Sequence, residues 1–361
     1  MKFISPYLKK SLATVAATAT LLLVGCGGGG GDSPDSSTDN NANQPPTGNG
    51  TLNAGLTGKF WYKEEASTEY FTADARTGVE KKLLNAPTSN HYLTPSPNGK
   101  IFVFHSFDDD VTQLDLYDAT KPFVKNQTLA SYENSGYVVD LQYSPDSKYL
   151  GVLHGDGSYY DSTTKRGFRI FNISNPENSV LVRQADPVEN PLYKYIGWLP
   201  NGNYIYKTDD NKLVTGDPRL ANGNEKIIGE IKPPAGFSAP SDDIAISPDG
   251  TQIAMTFTWM EGPLRKSDVW ITGIDGSNPQ RLTEDKYSQR PTWSPDGKFI
   301  ALKSDTDFTC TTVCTGTCNR WFVPSTARNM KLDPKLYLQI YKENSSRPSG
   351  LSCRRDIFWT Q

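Results

Sequence analysis

A bulky residue, then Ser-Pro-Asp-Gly, then an apolar run: this short pattern recurs along the chain and constrains its fold more than any other feature. The fullest copy is "RPTWSPDGKFIALKSD", Arg290 to Asp305. Looser copies centre on Pro97 ("PSPNGKIFVFHS"), Pro145 ("YSPDSKYLGVLHG"), Pro200 ("WLPNGNYIYKTDD") and Pro248 ("ISPDGTQIAMTFT"). Pro presets φ at the second position of a tight turn, Asp bonds its own backbone, and Gly accepts positive φ. The flanking runs are rich in β-branched and aromatic residues, so each copy reads as a β-hairpin. Successive turn prolines lie 48, 55, 48 and 47 residues apart, and a degraded sixth copy starts at Thr57 in "TGKFWYKEE". Two further strand-like runs separate the copies, most clearly in "SDVWITGIDGSNPQRLTED", Ser267 to Asp285, which reads strand, Asp-Gly turn, strand.

Four short antiparallel strands per repeat of 40 to 50 residues is the pattern of a β-propeller. One such sheet cannot cover both of its faces, so blades stack radially and bury apolar surface against their neighbours. The 18 Tyr, 15 Phe, 7 Trp, 30 Gly and 25 Pro suit strands and turns. Residues 57–361 accommodate six repeats, and a seventh blade would have to lack the turn motif altogether. The run "DVWITGIDGSNPQRLTE" followed by "RPTWSPDGKFIALKSD" resembles the TolB-type, WD40-like propeller repeat, and related copies cover most of residues 57–305. That resemblance implies an all-β propeller and an envelope partner of the Tol–Pal kind; the motif is specific for fold and weak for function. An open ring would expose sheet edges. The tail "RRDIFWTQ", Arg354 to Gln361, is therefore expected to pair with strands in 57–85, its strand position left open.

The N-terminus reads as a targeting segment. Lys2, Lys9 and Lys10 precede "SLATVAATATLLLV", an apolar stretch short for a membrane span. It ends in "LVGC", Leu23 to Cys26, which resembles the bacterial lipobox; the alternative is an ordinary export signal with an incidental Cys. The resemblance implies a signal peptide over 1–25 and lipidation at Cys26. Because Gly27 rather than Asp follows the Cys, it also implies the outer membrane, facing the periplasm. Residues 26–56 form the expected tether, almost free of apolar side chains from Gly27 to Gly50, with a reach on the order of 30 Å.

Four further cysteines, Cys310, Cys314, Cys318 and Cys353, lie in or after an insertion near 305–330. An even number in an exported protein reads as two disulfides of open connectivity; the alternative, a four-thiolate metal site, lacks the usual C-x2-C spacing. A net charge of −3 argues against nucleic acid as a partner. No catalytic motif or cofactor-binding fingerprint is present. The three histidines, His91, His105 and His154, fall on or beside strands, and the phase of His105 and His154 points them to opposite faces of their blades.

The segments after the second strand of each repeat are acidic: Asp108, Asp109 and Asp110; Asp156; Asp209 and Asp210; Glu261; Asp305 and Asp307. In a propeller these segments share one face with the links between blades. They read either as solvated loops or as a ring that binds a basic protein segment or a structural divalent cation. The chain is therefore expected to be a non-catalytic envelope lipoprotein that binds another protein or an envelope component, touching the membrane through its lipid only. The alternatives are a polyuronide lyase-like, carbohydrate-active enzyme on the same fold, and a scaffold that stabilises an envelope assembly.

Overall fold

The computed structural model describes residues 52–361 apart from 64–66, 86–90, 109–110, 123, 133–136, 157–164, 186–195, 209, 221–223, 239–243, 306–308, 311–313, 317, 334–336, 343–344 and 352–356. The expected signal peptide, Cys26 and most of the tether lie outside the described residues. Among the described residues, helix is limited to the 3-10 turn Pro176–Asn178 and a single 3-10 residue at Asn224, and no helix is long and apolar enough to cross a membrane.

The rest is a six-bladed propeller. From the channel outward, blade 1 consists of Ile357–Thr360, Lys59–Lys63, Glu69–Asp74 and Glu80–Asn85. Blade 2 is His91–Pro95, Ile101–Asp108, Val111–Asp118 and Lys125–Tyr132, and blade 3 is Tyr137–Tyr143, Tyr149–Asp156, Lys165–Asn172 and Val180–Ala185. Blade 4 is Ile196–Trp198, Tyr204–Lys207, Lys212–Gly216 and Lys226–Glu230, and blade 5 is Ile244–Ile246, Gln252–Glu261, Leu264–Gly273 and Gln280–Arg281. Blade 6 has Gln289–Trp293, Phe299–Ser304 and Asn319–Pro324, with a single bridge from Trp321 to Tyr337 at the fourth position. Every neighbouring pair of strands within a blade is antiparallel.

Alternation along the strands explains the ring. In Ile101–Asp108, Phe102 and Phe104 pack with Trp61 and Tyr70 of blade 1, while Val103 packs with Leu150 and Val152 of blade 3. Similar buried clusters fill the seams between blades 3 and 4, 4 and 5, 5 and 6, and 6 and 1. Each sheet thus has two apolar faces and covers both with its neighbours, as the radial stacking expected from the repeat requires.

The recurrent motif has a physical role at each letter. Ser294 Oγ accepts the Phe299 N–H (2.9 Å) and donates to Asp296 Oδ1 (2.7 Å), and Asp296 Oδ1 also accepts the Lys298 N–H (3.1 Å). The same pattern recurs at Ser144 with Asp146 and at Ser247 with Asp249. Gly250 has φ +70°, and a Cβ there would stand 2.3 Å from Pro200 of the preceding blade's turn, so the turns of adjacent blades nest against one another. The bulky residue before the motif ties inner strands together. Trp198 Nε1 donates to Gln142 O of blade 3 (2.9 Å), and Trp293 Nε1 to Ala245 O of blade 5 (3.0 Å).

Closure occurs in blade 1. Ile357–Thr360 takes the innermost position, with Trp61 opposite Phe358 and Lys59 opposite Thr360. Trp61 Nε1 donates to Thr360 Oγ1 (2.9 Å), and the Gln361 N–H to Pro97 O of blade 2 (3.0 Å). This explains the degraded copy at Thr57: the first and second strands of this blade come from opposite ends of the chain, so no turn joins them. A Cβ at Gly58 would lie 2.2 Å from Thr360 O, so the junction needs glycine.

The fold also begins earlier than the sequence suggests. Asn53 and Leu56 are buried, and Asn53 Nδ2 donates to Ala75 O (3.0 Å) and Gln339 O (2.9 Å), clasping blade 1 to the segment that follows blade 6. Residues 52–56 carry no turn motif and follow a long polar run, which is why they read as tether; they are anchored by the Asn53 amide and by Leu56, which joins the core between blades 6 and 1.

Candidate functional site

Antiparallel order sends the Ser-Pro-Asp-Gly turns to one face of the ring. The hairpins between second and third strands, and the links between blades, go to the other. Asp108 and Asp156 end second strands, opposite Val111 and Lys165, on that second face. Asp109, Asp110, Asp209 and Asp307 lie outside the described residues.

Of the acidic residues whose side chains are described, Asp210 and Glu261 each have a lysine partner. Asp210 pairs with Lys212 (2.6 Å) and accepts from Thr208 Oγ1; these contacts, Lys212 first, hold its carboxyl below the usual range. Glu261 pairs with Lys286 (2.9 Å), which lowers its pKa likewise. Asp305 is half-buried, and a Cβ at Gly316 would lie 2.3 Å from its carboxylate oxygens, so the insertion folds over it. Lys212 stands two residues from Asp210 in the sequence, whereas Lys286 is brought to Glu261 by the link between blades 5 and 6.

A long, fully described hairpin on this face belongs to blade 5. Its strands, Gln252–Glu261 and Leu264–Gly273, hold register up to Glu261 opposite Leu264. The two-residue turn is Gly262–Pro263, with Gly262 at φ +61°. Pro cannot adopt positive φ, which excludes type I′ and leaves type II′ with Gly first. The second strand here ends 13 residues beyond its turn proline, against 7 in neighbouring blade 4. Six more residues extend the hairpin by about 20 Å.

The hairpin is aromatic and cationic. Met260 is 63% exposed at the tip. Trp259 meets Phe237 of the preceding link edge-on (5.0 Å), Phe237 also meets Trp270 (5.2 Å), and the Arg281 guanidinium lies 5.6 Å from the Trp259 ring. Lys266 sits 4.2 Å from the Tyr287 ring centre, and Arg265 is exposed beside Met260. The Ser238 N–H donates to Thr258 O (2.7 Å), fixing the link against the hairpin.

Beneath it lies a network that motif reading missed. Asp268 is fully buried and accepts from Arg281 Nε (3.1 Å) and from the N–H groups of Asp285 (3.1 Å) and Lys286 (3.0 Å). Asp285 accepts from Ser288 Oγ and from Ser304 Oγ of blade 6. The only sequence trace is the Asp before "VWIT" and the "RLTED" that follows.

His105 and His154 do face opposite ways within their blades, as their phase requires. Blades 2 and 3 are neighbours, so both imidazoles enter the same seam: His105 stacks on Tyr92 (4.9 Å) and His154 on Tyr132 (4.7 Å). His91 opens the first strand of blade 2, opposite Ser106. Among the described residues no group of three or more His, Cys, Asp or Glu is placed to hold a metal. Cys310 and Cys314 stand directly opposite each other in a hairpin of the insertion, Cys318 precedes the third strand of blade 6, and Cys353 lies outside the described residues.

No protein-family model matches the chain. A tricorn protease homolog of Saccharolobus solfataricus is 23% identical over 222 residues, 60% of this chain and 17% of that protein, so the chain spans less than a fifth of that relative. Among solved structures, TolB from Acinetobacter baumannii is similar with a TM-score of 0.48 and 15% identity, over 75% of this chain and 65% of TolB. An oligogalacturonate lyase in complex with manganese is similar with a TM-score of 0.48 and 11% identity, over 72% of this chain and 70% of the lyase.

Proposed function

We propose that this chain is a non-catalytic, lipid-anchored propeller of the bacterial cell envelope that binds another protein through the face bearing the blade 5 hairpin. One observation carries the reading: a long hairpin presents exposed Met260 and Arg265 on one side and Trp259, with Arg281 over its ring, on the other. Aromatic, Met and Arg side chains are the types enriched at the centres of protein interfaces. The envelope placement rests on "LVGC" and the export-type N-terminus. The acidic ring has a smaller part in this reading, because Lys212 and Lys286 already offset two of its members.

The four cysteines after Cys26 fit two disulfides, Cys310 with Cys314 and Cys318 with Cys353. The opposition of Cys310 and Cys314 and the disulfide bond at Cys318 support this pairing.

The test is site-specific photo-crosslinking in cells. A crosslinker at Met260 should give one dominant protein adduct, and one at Ile227, exposed on the outer strand of blade 4, should give none. Met260→Asp should reduce the adduct formed from a crosslinker at Arg265 by about tenfold, the scale of one interface anchor. An adduct unaffected by Met260→Asp but lost on neutralising Asp109, Asp209 and Asp305 would move the site to the acidic residues. Stoichiometric metal in the purified protein, with β-elimination products from polyuronides, would replace the binding reading with the enzyme.

A further inference from the structure

The seam between blades 2 and 3 opens on its outer side into a cavity of about 350 Å³, at the lower end of the range that small-molecule sites occupy. Buried Phe171 and His154 form its floor. The last strand of blade 2, Leu129 to Tyr132, makes one wall, and Leu181 of blade 3, 40% exposed, makes the other.

The site owes its shape to alternation on the third strand of blade 3. Phe168 and Ile170 turn into the core shared with blade 4, while Phe171 packs toward blade 2 and Arg169 lines the cavity beside it. Gly167 shares that face. A Cβ there would stand 2.6 Å from His154 Nε2, so the glycine makes the space in which the imidazole stacks on Tyr132.

Arg169 is the unusual member. It is half-buried, and its Nη1 donates to Ser179 Oγ at 3.2 Å. Arg219 and Arg281 each pair with an aspartate, but among the described residues no carboxylate pairs with Arg169. A guanidinium in this position offers a planar fork of donors at the edge of a hollow lined by Leu129, Phe171 and Leu181 on one hand and by Ser131, Tyr132, His154 and Ser179 on the other.

We propose that this cavity binds a small organic carboxylate with a flat apolar body, its carboxylate held by Arg169 and its body lying between Leu129, Phe171 and Leu181. A bare inorganic anion would leave the apolar walls wet, and a neutral ring would leave the guanidinium without a counter-charge. The site is remote in sequence from the blade 5 hairpin and independent of the protein-binding reading.

The experiment is calorimetric titration of the purified protein with phenylacetate, phenylacetamide and inorganic phosphate. Phenylacetate should bind one to one with a Kd of roughly 1 mM or tighter. Phenylacetamide and phosphate should bind at least about tenfold more weakly, the scale of one charge-assisted contact. Arg169→Met should weaken phenylacetate by a similar factor with the circular dichroism of the folded ring retained. Leu181→Trp, which fills the cavity and leaves the charge in place, should also abolish binding. Met260→Asp should leave it unchanged. Absence of saturable phenylacetate binding, or equal binding of phenylacetate and phenylacetamide, overturns the proposal even if Arg169→Met fails to fold.

Discussion

Asp268 shows how much a single side chain can hold in this protein. It satisfies a guanidinium and two backbone N–H groups in a site without solvent. Asp268→Ala would leave Arg281 without its buried partner and those N–H groups unpaired, and should cost about 3–5 kcal/mol. Urea denaturation checks this, and a loss below about 1 kcal/mol would contradict it. The turn aspartates act together through pH. Asp249 is held below the usual carboxylate range by the Ser247 hydroxyl first and then by the Thr251 N–H. At Asp146 and Asp296 burial pushes upward, but hydrogen bonds from Ser144 and Ser294 and the adjoining lysines outweigh it. A carboxylate whose folded pKa is depressed stabilises the fold above its unfolded value of about 3.9, and that stability is lost as pH falls through the folded value. The melting temperature should therefore drop steeply below about pH 4; a flat profile from pH 5 to pH 3 would contradict these assignments.

At the scale of the element, the hairpins were legible because Ser-Pro-Asp-Gly encodes its own geometry locally. The nesting of Gly250 on Pro200 and the indole bonds of Trp198 and Trp293 were not, since both are made between residues about 50 positions apart. The acidic face was half legible. Asp108, Asp156 and Glu261 end second strands on that side, but Lys286 reaches Glu261 from the link to blade 6, and the cationic, aromatic blade 5 hairpin leaves no trace in a count of carboxylates. The insertion after blade 6's second strand is likewise written only as cysteine spacing. If Cys353 bonds Cys318, non-reducing peptide mapping will recover that pair, and Cys353→Ser should lower stability by ~2–4 kcal/mol. Recovery of Cys318 bonded to Cys310 or Cys314 would contradict the pairing.

For the whole molecule, six sheets that could not stand alone share six apolar seams, so the ring is only as stable as its closure. That closure rests on a four-residue strand, Ile357–Thr360, drawn from the far end of the chain and placed innermost in blade 1. The repeat spacing foretold a closed ring, and the poor match at Thr57 located the join. The strand position escaped sequence reading because it is set by pairing across some 300 residues. Amide hydrogen exchange tests this arrangement most directly. The N–H groups of 357–360 that bond to the Lys59–Lys63 strand should exchange as slowly as those of 59–63, through global opening of the ring. Exchange of 357–360 within seconds, while 59–63 stay protected, would show the tail unpaired and the propeller closed by some other means.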